Sequence, residues 1–229
     1  MIFYKKYSLE INIINKFAYV VKLINNASFI NYAFNQLSKD PIMESLINSL
    51  GHKINPTERY NRNYALAICN LIIEQQISFK AAITIKNKFK ELISGLSNSD
   101  IIKLDNNKVQ SIGLSFRKVE YMKNVLIFFE KNNYEFENFT NKEVFEKLIS
   151  IKGVGKWTFE MFLIFVLFKP DIFSFGDIAL INSIKKNYNV NSRLQIEEIV
   201  KNYKPFRSIA SLILWASVES DTFYKKSIS

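Results

Sequence analysis

The chain has 229 residues, 48% hydrophobic and 23% charged, the make-up of a soluble globular protein with one compact body or two small lobes. Its one cysteine, Cys69, excludes an intramolecular disulfide and a four-cysteine iron–sulfur loop, and its one histidine, His52, argues against a His-based metal site or a Ser-His-Asp triad with a second histidine in support. The net charge of +10, from 31 Lys+Arg against 21 Asp+Glu, favours a polyanionic partner, although a genome rich in Asn, Ile, Lys and Phe codons would also inflate lysine.

Residues 1–28 are the least interpretable stretch. Ile and Asn alternate around Leu9–Ile14, which reads as strand or helix equally, and no function attaches to it. The opening MIFYKKYSLEINIINKF lacks an apolar core followed by a small-residue cleavage site. The most apolar run, Met161 to Phe168, is too short to cross a bilayer. These two points predict an intracellular, reducing location and no membrane partner. From Phe29 to Leu50 the apolar spacing predicts two short helices broken at Asp40-Pro41, with Gly51 closing the second. After the polar loop HKINPTERY, helix is expected to resume at about Tyr60, burying Ala65, Leu66, Ile68, Cys69, Ile72 and Ile73.

Next comes EQQISFKAAITIKNKF. Adjacent glutamines in an apolar helix are costly to bury without partners. One reading is a helix end with Ser78 capping the next helix. The other exposes Gln75, Gln76 and Ile77 to a partner. Residues 90–106 read as a connector with one short helix. In GLSFRKVEYM, Gly113 opens a turn and Ser115 is a cap. Arg117 and Lys118 then fall in a first turn, where the helix dipole disfavours cations, which points either to a nearby anion or to solvent. The helix is expected to run to about Glu130, and another enters the following turn at Lys142.

The chain is organised around residues 148–177. Two of its six glycines, Gly153 and Gly155, flank Val154 between two apolar-periodic segments, with Lys152 and Lys156 outside them. Helix, Gly-x-Gly, helix is a tight turn that leaves the second helix's first amides and positive dipole end facing out, a ready phosphate site. Asp177 stands twenty residues beyond Trp157, after a break at Pro170 and before a helical run with Ile178, Leu180, Ile181 and Ile184. A last helix is expected from about Ser208 to Val218. No segment alternates over several strands, so the fold class is all-α.

The order QQIS, GLSFRK, IKGVGKW, Asp177 resembles the helix-hairpin-helix DNA glycosylases, in the 3-methyladenine DNA glycosylase II (alkylpurine) branch, from about residue 34 to about residue 218. The resemblance implies two helical lobes, 60–168 ending in the hairpin helix and 1–59 plus 169–229 carrying the catalytic Asp, with the active-site cleft between them. It implies a compact form without an amino-terminal β lobe. The implied activity is monofunctional base excision: hydrolysis of the N-glycosidic bond of a flipped-out alkylated purine in duplex DNA, leaving an abasic site. Asp177 is then catalytic. Trp157, Tyr203 and Phe206 line the lesion pocket. Lys152, Gly153, Val154, Gly155, Lys156 and Thr158 form the hairpin that grips the DNA backbone. Gln75, Gln76 and Ile77 probe the duplex. Lyase members carry a lysine two positions after the second hairpin glycine; here that position is Trp157, so no lyase step is expected. No cofactor and no catalytic metal are implied, only a structural alkali cation at the hairpin. The chain is expected to act as a monomer in the cytoplasm, at the nucleoid in a bacterium or in the nucleus of a eukaryote.

Plainer readings stand beside these. Asp177 is a good helix N-cap. Aromatic residues, Trp215 among them, pack cores. Asp171, the nearest rival carboxylate, matches no catalytic position, and nothing in the spacing forces Glu160 or Glu74 into the cleft. A non-catalytic helix-hairpin-helix DNA-binding protein, an all-α interaction protein, and a glycosylase for a neutral lesion (uracil, ethenoadenine, 8-oxoguanine) are the competing functions. Phe159 and Glu160 depart from the smaller or neutral residues common in the family.

Overall fold

The computed structural model of the chain describes residues 27–224; the readings made for residues 1–26 lie outside the described residues. Among the described residues the regular structure is helical, with no strand. Helices α1 (Ala27–Leu37) and α2 (Pro41–Leu50) meet at Asp40, whose carboxylate accepts from the Ile42 and Met43 amides while Pro41 opens the helix. Gly51 does not stop the chain in a left-handed turn; it lies at φ −56° and leads into a short 3₁₀ turn, Gly51–Lys53. Helix α3 (Tyr64–Glu74) begins four residues later than the sequence suggests, because Asn63 supplies the cap.

Helix α3 is apolar around its circumference, with Ala65, Ala67, Ile68, Cys69, Leu71, Ile72 and Ile73 all buried, as a central helix must be. It packs on α4 (Phe79–Leu92), α7 (Phe116–Lys131) and α9 (Lys156–Phe165). The expected connector contains two short helices, α5 (Asn98–Lys103) and α6 (Asn106–Gln110), split by the Asp105 cap. Helix α8 (Asn141–Leu148) enters the hairpin through a Thr140–Glu143 capping box.

Beyond α9 come α10 (Ile178–Tyr188), α11 (Arg193–Asn202) and α12 (Arg207–Glu219). Helix α11 was not anticipated, although its Ser192–Gln195 capping box is visible in the sequence. The principal packing pairs fall into two sets. Helices α3 to α9 pack among themselves, and α1, α2, α10, α11 and α12 do likewise. The link between the sets leaves α9 through Phe168, a buried residue at φ 51°, and its Lys169 amide reaches back to the Leu163 carbonyl at 2.8 Å. No helix among the described residues is long and apolar enough to cross a membrane.

Candidate active site

Asp177 occupies the N-cap of α10, in extended backbone at φ −83°, and its Oδ1 accepts from the Leu180 amide at 2.9 Å. The capping reading is therefore correct, and it accounts for only part of the residue's bonding. Trp157, in the first turn of α9, donates its indole N–H to Oδ2 at 2.8 Å. Trp215, from α12, donates to Oδ1 at 3.2 Å. One carboxylate, 8% exposed, thus receives an indole from the hairpin helix and another from the C-terminal helix. By sequence Trp215 reads as a core residue. It is buried, but its N–H points at Asp177 from 38 residues away, a separation only the fold can close.

Behind Trp215 its ring stacks on Phe165, centroids 5.4 Å apart, and the Arg59 guanidinium lies 4.4 Å from the Phe165 centroid. Arg59 in turn pairs with Glu74 at 3.1 Å, and Lys86 meets the other oxygen of Glu74 at 2.5 Å. Glu74 is therefore committed to a charge cluster beside a cavity of about 330 Å³ whose lining includes Arg59, Phe79, Lys86 and Phe165 but not Asp177. Glu160 lies near Asp177 instead. Burial raises its carboxyl above the ordinary carboxylate range, opposed by the Ser174 hydroxyl and the Lys156 ammonium and reinforced by the charge of Asp177. Asp171 is held by Arg207 through Nε at 2.7 Å and a second nitrogen at 3.0 Å, so it ties the link to α12.

At the hairpin, Gly153 has φ +103° and a Cβ there would lie 2.2 Å from the Tyr121 ring, so no other residue fits. Gly155 is different. It caps α9 without a side chain, and a Cβ would meet nothing within 4 Å, so inside the protein nothing demands glycine. Lys152 pairs with Glu120 at 2.7 Å on the surface, and Lys156 is exposed. The Val154 and Thr158 side chains are buried, which leaves only their backbone to face a partner. The carbonyls of Ile151, Lys152 and Gly153 accept from the Val154 amide, the Asn124 side chain and the Gln75 side chain.

Several expected residues lie elsewhere. Tyr203 is 2% exposed and donates to the Tyr188 hydroxyl at 2.8 Å, which donates to Asp40. Phe206 is buried edge-on against Phe29 and Tyr32 of α1. Both pack in the core, tying the turn between α11 and α12 to α1 and Asp40. The three loop residues also separate. The Gln75 amide donates to the Gly153 carbonyl at 3.1 Å and the Thr158 hydroxyl at 2.9 Å, pinning the loop to the hairpin. Gln76 is exposed in left-handed backbone at φ 56°, and Ile77 is half-buried. Lys118 is half-buried; its ammonium caps the Ile73 and Gln75 carbonyls at 2.8 and 2.7 Å, and desolvation lowers its pKa. Sequence reasoning missed this because the carbonyls at a helix end are anonymous.

Residues 69–206 match the HhH-GPD superfamily of base excision DNA repair proteins, and the chain belongs to that superfamily. Within it, the DNA-3-methyladenine glycosylase 1 of Schizosaccharomyces pombe is 28% identical over 154 residues, 63% of this chain and 68% of that protein. A Bacillus subtilis relative is 27% identical over 173 residues, and the match spans 60% of that relative's length. The structure of the S. pombe 3-methyladenine DNA glycosylase in complex with abasic DNA superimposes with a TM-score of 0.76 at 25% identity, over 85% of this chain and all of that one.

Proposed function

We propose that this protein is a monofunctional DNA glycosylase that removes alkylated purines of the 3-methyladenine and 7-methylguanine type from duplex DNA. The observation that carries the reading is the convergence of the Trp157 and Trp215 indole N–H groups on the two oxygens of Asp177. A side chain needed only as a helix cap would not require two further donors.

Breaking the bond from C1′ to a purine nitrogen builds oxocarbenium-like charge on the sugar. A fixed carboxylate at C1′ stabilises that charge and orients the attacking water. Bonded by three N–H groups, Asp177 is held in one orientation, and Oδ2 keeps a lone pair for the reaction. The partly exposed Trp157 ring offers an electron-rich face to a cationic base. Such a base is already a good leaving group, so no general acid is required. With Trp157 where a lyase has lysine, the product is an abasic site in an uncut strand.

In this reading, residues 60–168 form one wall of the cleft, and the described parts of 1–59 and 169–229 form the other, a division the two sets of packing pairs support. The free end of α9 at Gly155 and the Lys156 ammonium receive a phosphate. Gln76 and Ile77 fill the space left by the flipped nucleotide, because the Gln75 amide is spent on the hairpin. The protein works on the damaged duplex as a monomer. The test is incubation with methylated duplex DNA: free 3-methyladenine or 7-methylguanine is expected, with nicks only after alkali. Nicks before alkali would contradict the monofunctional reading, and binding without release would favour a non-catalytic DNA-binding protein.

A further inference from the structure

Glu160 is a buried carboxylate that the chemistry above does not use. Burying a charge is costly unless it is well partnered. Its ion pair to Lys156 is long, 3.9 Å, and the lysine is 78% exposed, so that contact offsets little. The close partner is Ser174. The Ser174 hydroxyl, fully buried, donates to Glu160 Oε2 at 2.5 Å. The carbonyl of the same serine accepts the Asp177 amide at 3.1 Å. One residue thus joins the hairpin helix to the backbone of Asp177.

Trp157 and Glu160 are three positions apart on α9, hence on one helix face. Helix α9 therefore grips the Asp177 segment twice, by its side chain through Trp157 and by its backbone through Ser174.

We propose that Glu160 and Ser174 are positioning residues, a clamp that sets the Asp177 carboxylate against Trp157. The proposal rests on the reading of Asp177 as catalytic. A carboxyl accepts a hydroxyl's hydrogen bond in either protonation state, so the clamp needs an acceptor at Glu160 and not a charge. Gln supplies that acceptor; Ala does not.

The chain's two tryptophans both bond to Asp177, so intrinsic tryptophan fluorescence reports on this site alone. We would measure emission and acrylamide quenching, together with single-turnover base release, for Glu160→Ala, Ser174→Ala and Glu160→Gln. Ser174→Ala removes one oxygen and guards against a Glu160→Ala protein that does not fold. Glu160→Ala and Ser174→Ala are expected to alter the tryptophan signal and to slow release by roughly 10- to 100-fold, with affinity for an abasic duplex little changed. Joining the two is expected to add almost nothing, and Glu160→Gln to restore both readouts. Wild-type signal and rate in Glu160→Ala and Ser174→Ala would overturn the clamp, as would a Glu160→Gln protein as impaired as Glu160→Ala. If the wild type releases no base while the fluorescence pattern holds, the glycosylase reading fails and the clamp stands.

Discussion

An ionised carboxylate offers about four acceptor positions, and at Asp177 three are filled, by Leu180 and Trp215 on Oδ1 and by Trp157 on Oδ2. Each indole donor is worth about 1.5–3 kcal/mol against a charged acceptor, of which a part is realised as orientation of the reacting oxygen. Trp215→Phe keeps a ring to stack on Phe165 but loses the donor, so kcat for base release is expected to fall by about 10-fold with KM unchanged. Trp157→Phe loses a donor and also the most electron-rich face, so kcat is expected to fall and KM for a cationic base to rise. Steady-state kinetics on a single-lesion duplex separates the two; identical profiles would contradict the different roles given to the indoles. The motif and its twenty-residue spacing pointed to Trp157 and Asp177 as residues of one site, but not to the hydrogen bond between them. The link from Trp215 was not legible, since an indole N–H in a C-terminal helix gives no sign of its acceptor until the chain folds. The burial of Tyr203 and Phe206 was hidden for a like reason: aromatic side chains near a cleft look alike in sequence whether they line it or pack behind it.

The hairpin's two glycines do different work, and substitution separates them. Gly153→Ala places a Cβ within 2.2 Å of the Tyr121 ring and forces alanine to φ +103°. A loss of about 2–4 kcal/mol of stability is expected in denaturant unfolding, from strain and overpacking together. Gly155→Ala meets open space at φ −102° and is expected to leave stability within about 1 kcal/mol. Its effect belongs to the DNA, since a methyl group beside the free amides of α9 hinders a phosphate, and affinity for duplex should drop. Equal stability losses in the two variants would refute this division. Helix ends set by short side chains were readable in advance: Ser78, Ser115 and Asp177 all cap. The start of α3 was not, because Asn61 and Asn63 compete for the turn and the chain does not show which one the helix uses.

Across the whole molecule the shifted carboxyls give stability a definite pH dependence. Burial raises Glu160, and partial desolvation raises the more exposed Glu219, above the ordinary value of 4.5. The unfolded chain releases these protons near 4.5 while the folded one keeps them longer, so the folded state binds more protons just above that pH. Stability from these groups therefore falls as pH rises through the window between the two values. Asp100 and Glu143, held low by their capping boxes, act in the opposite sense and only in the more acidic range. Removing one raised carboxyl with Glu160→Gln should make the thermal midpoint exceed the wild type's by a margin that widens across this window; a constant margin would show that Glu160 does not titrate there. The all-α class and the helix-hairpin-helix core were legible from periodicity and the Gly-x-Gly turn, whereas the pairing of Arg59 with Glu74 and the pin from Gln75 to Thr158 join residues 15 and 83 positions apart. The account as a whole stands on Asp177, and the most direct test is base release from methylated duplex DNA by wild type and by Asp177→Asn. Asparagine still caps α10, so the variant should fold normally, while its amide group cannot carry the negative charge that C1′ requires. The account predicts wild-type release with nicks only after alkali and a loss of roughly 10³-fold in the variant. Release by Asp177→Asn at the wild-type rate would contradict it.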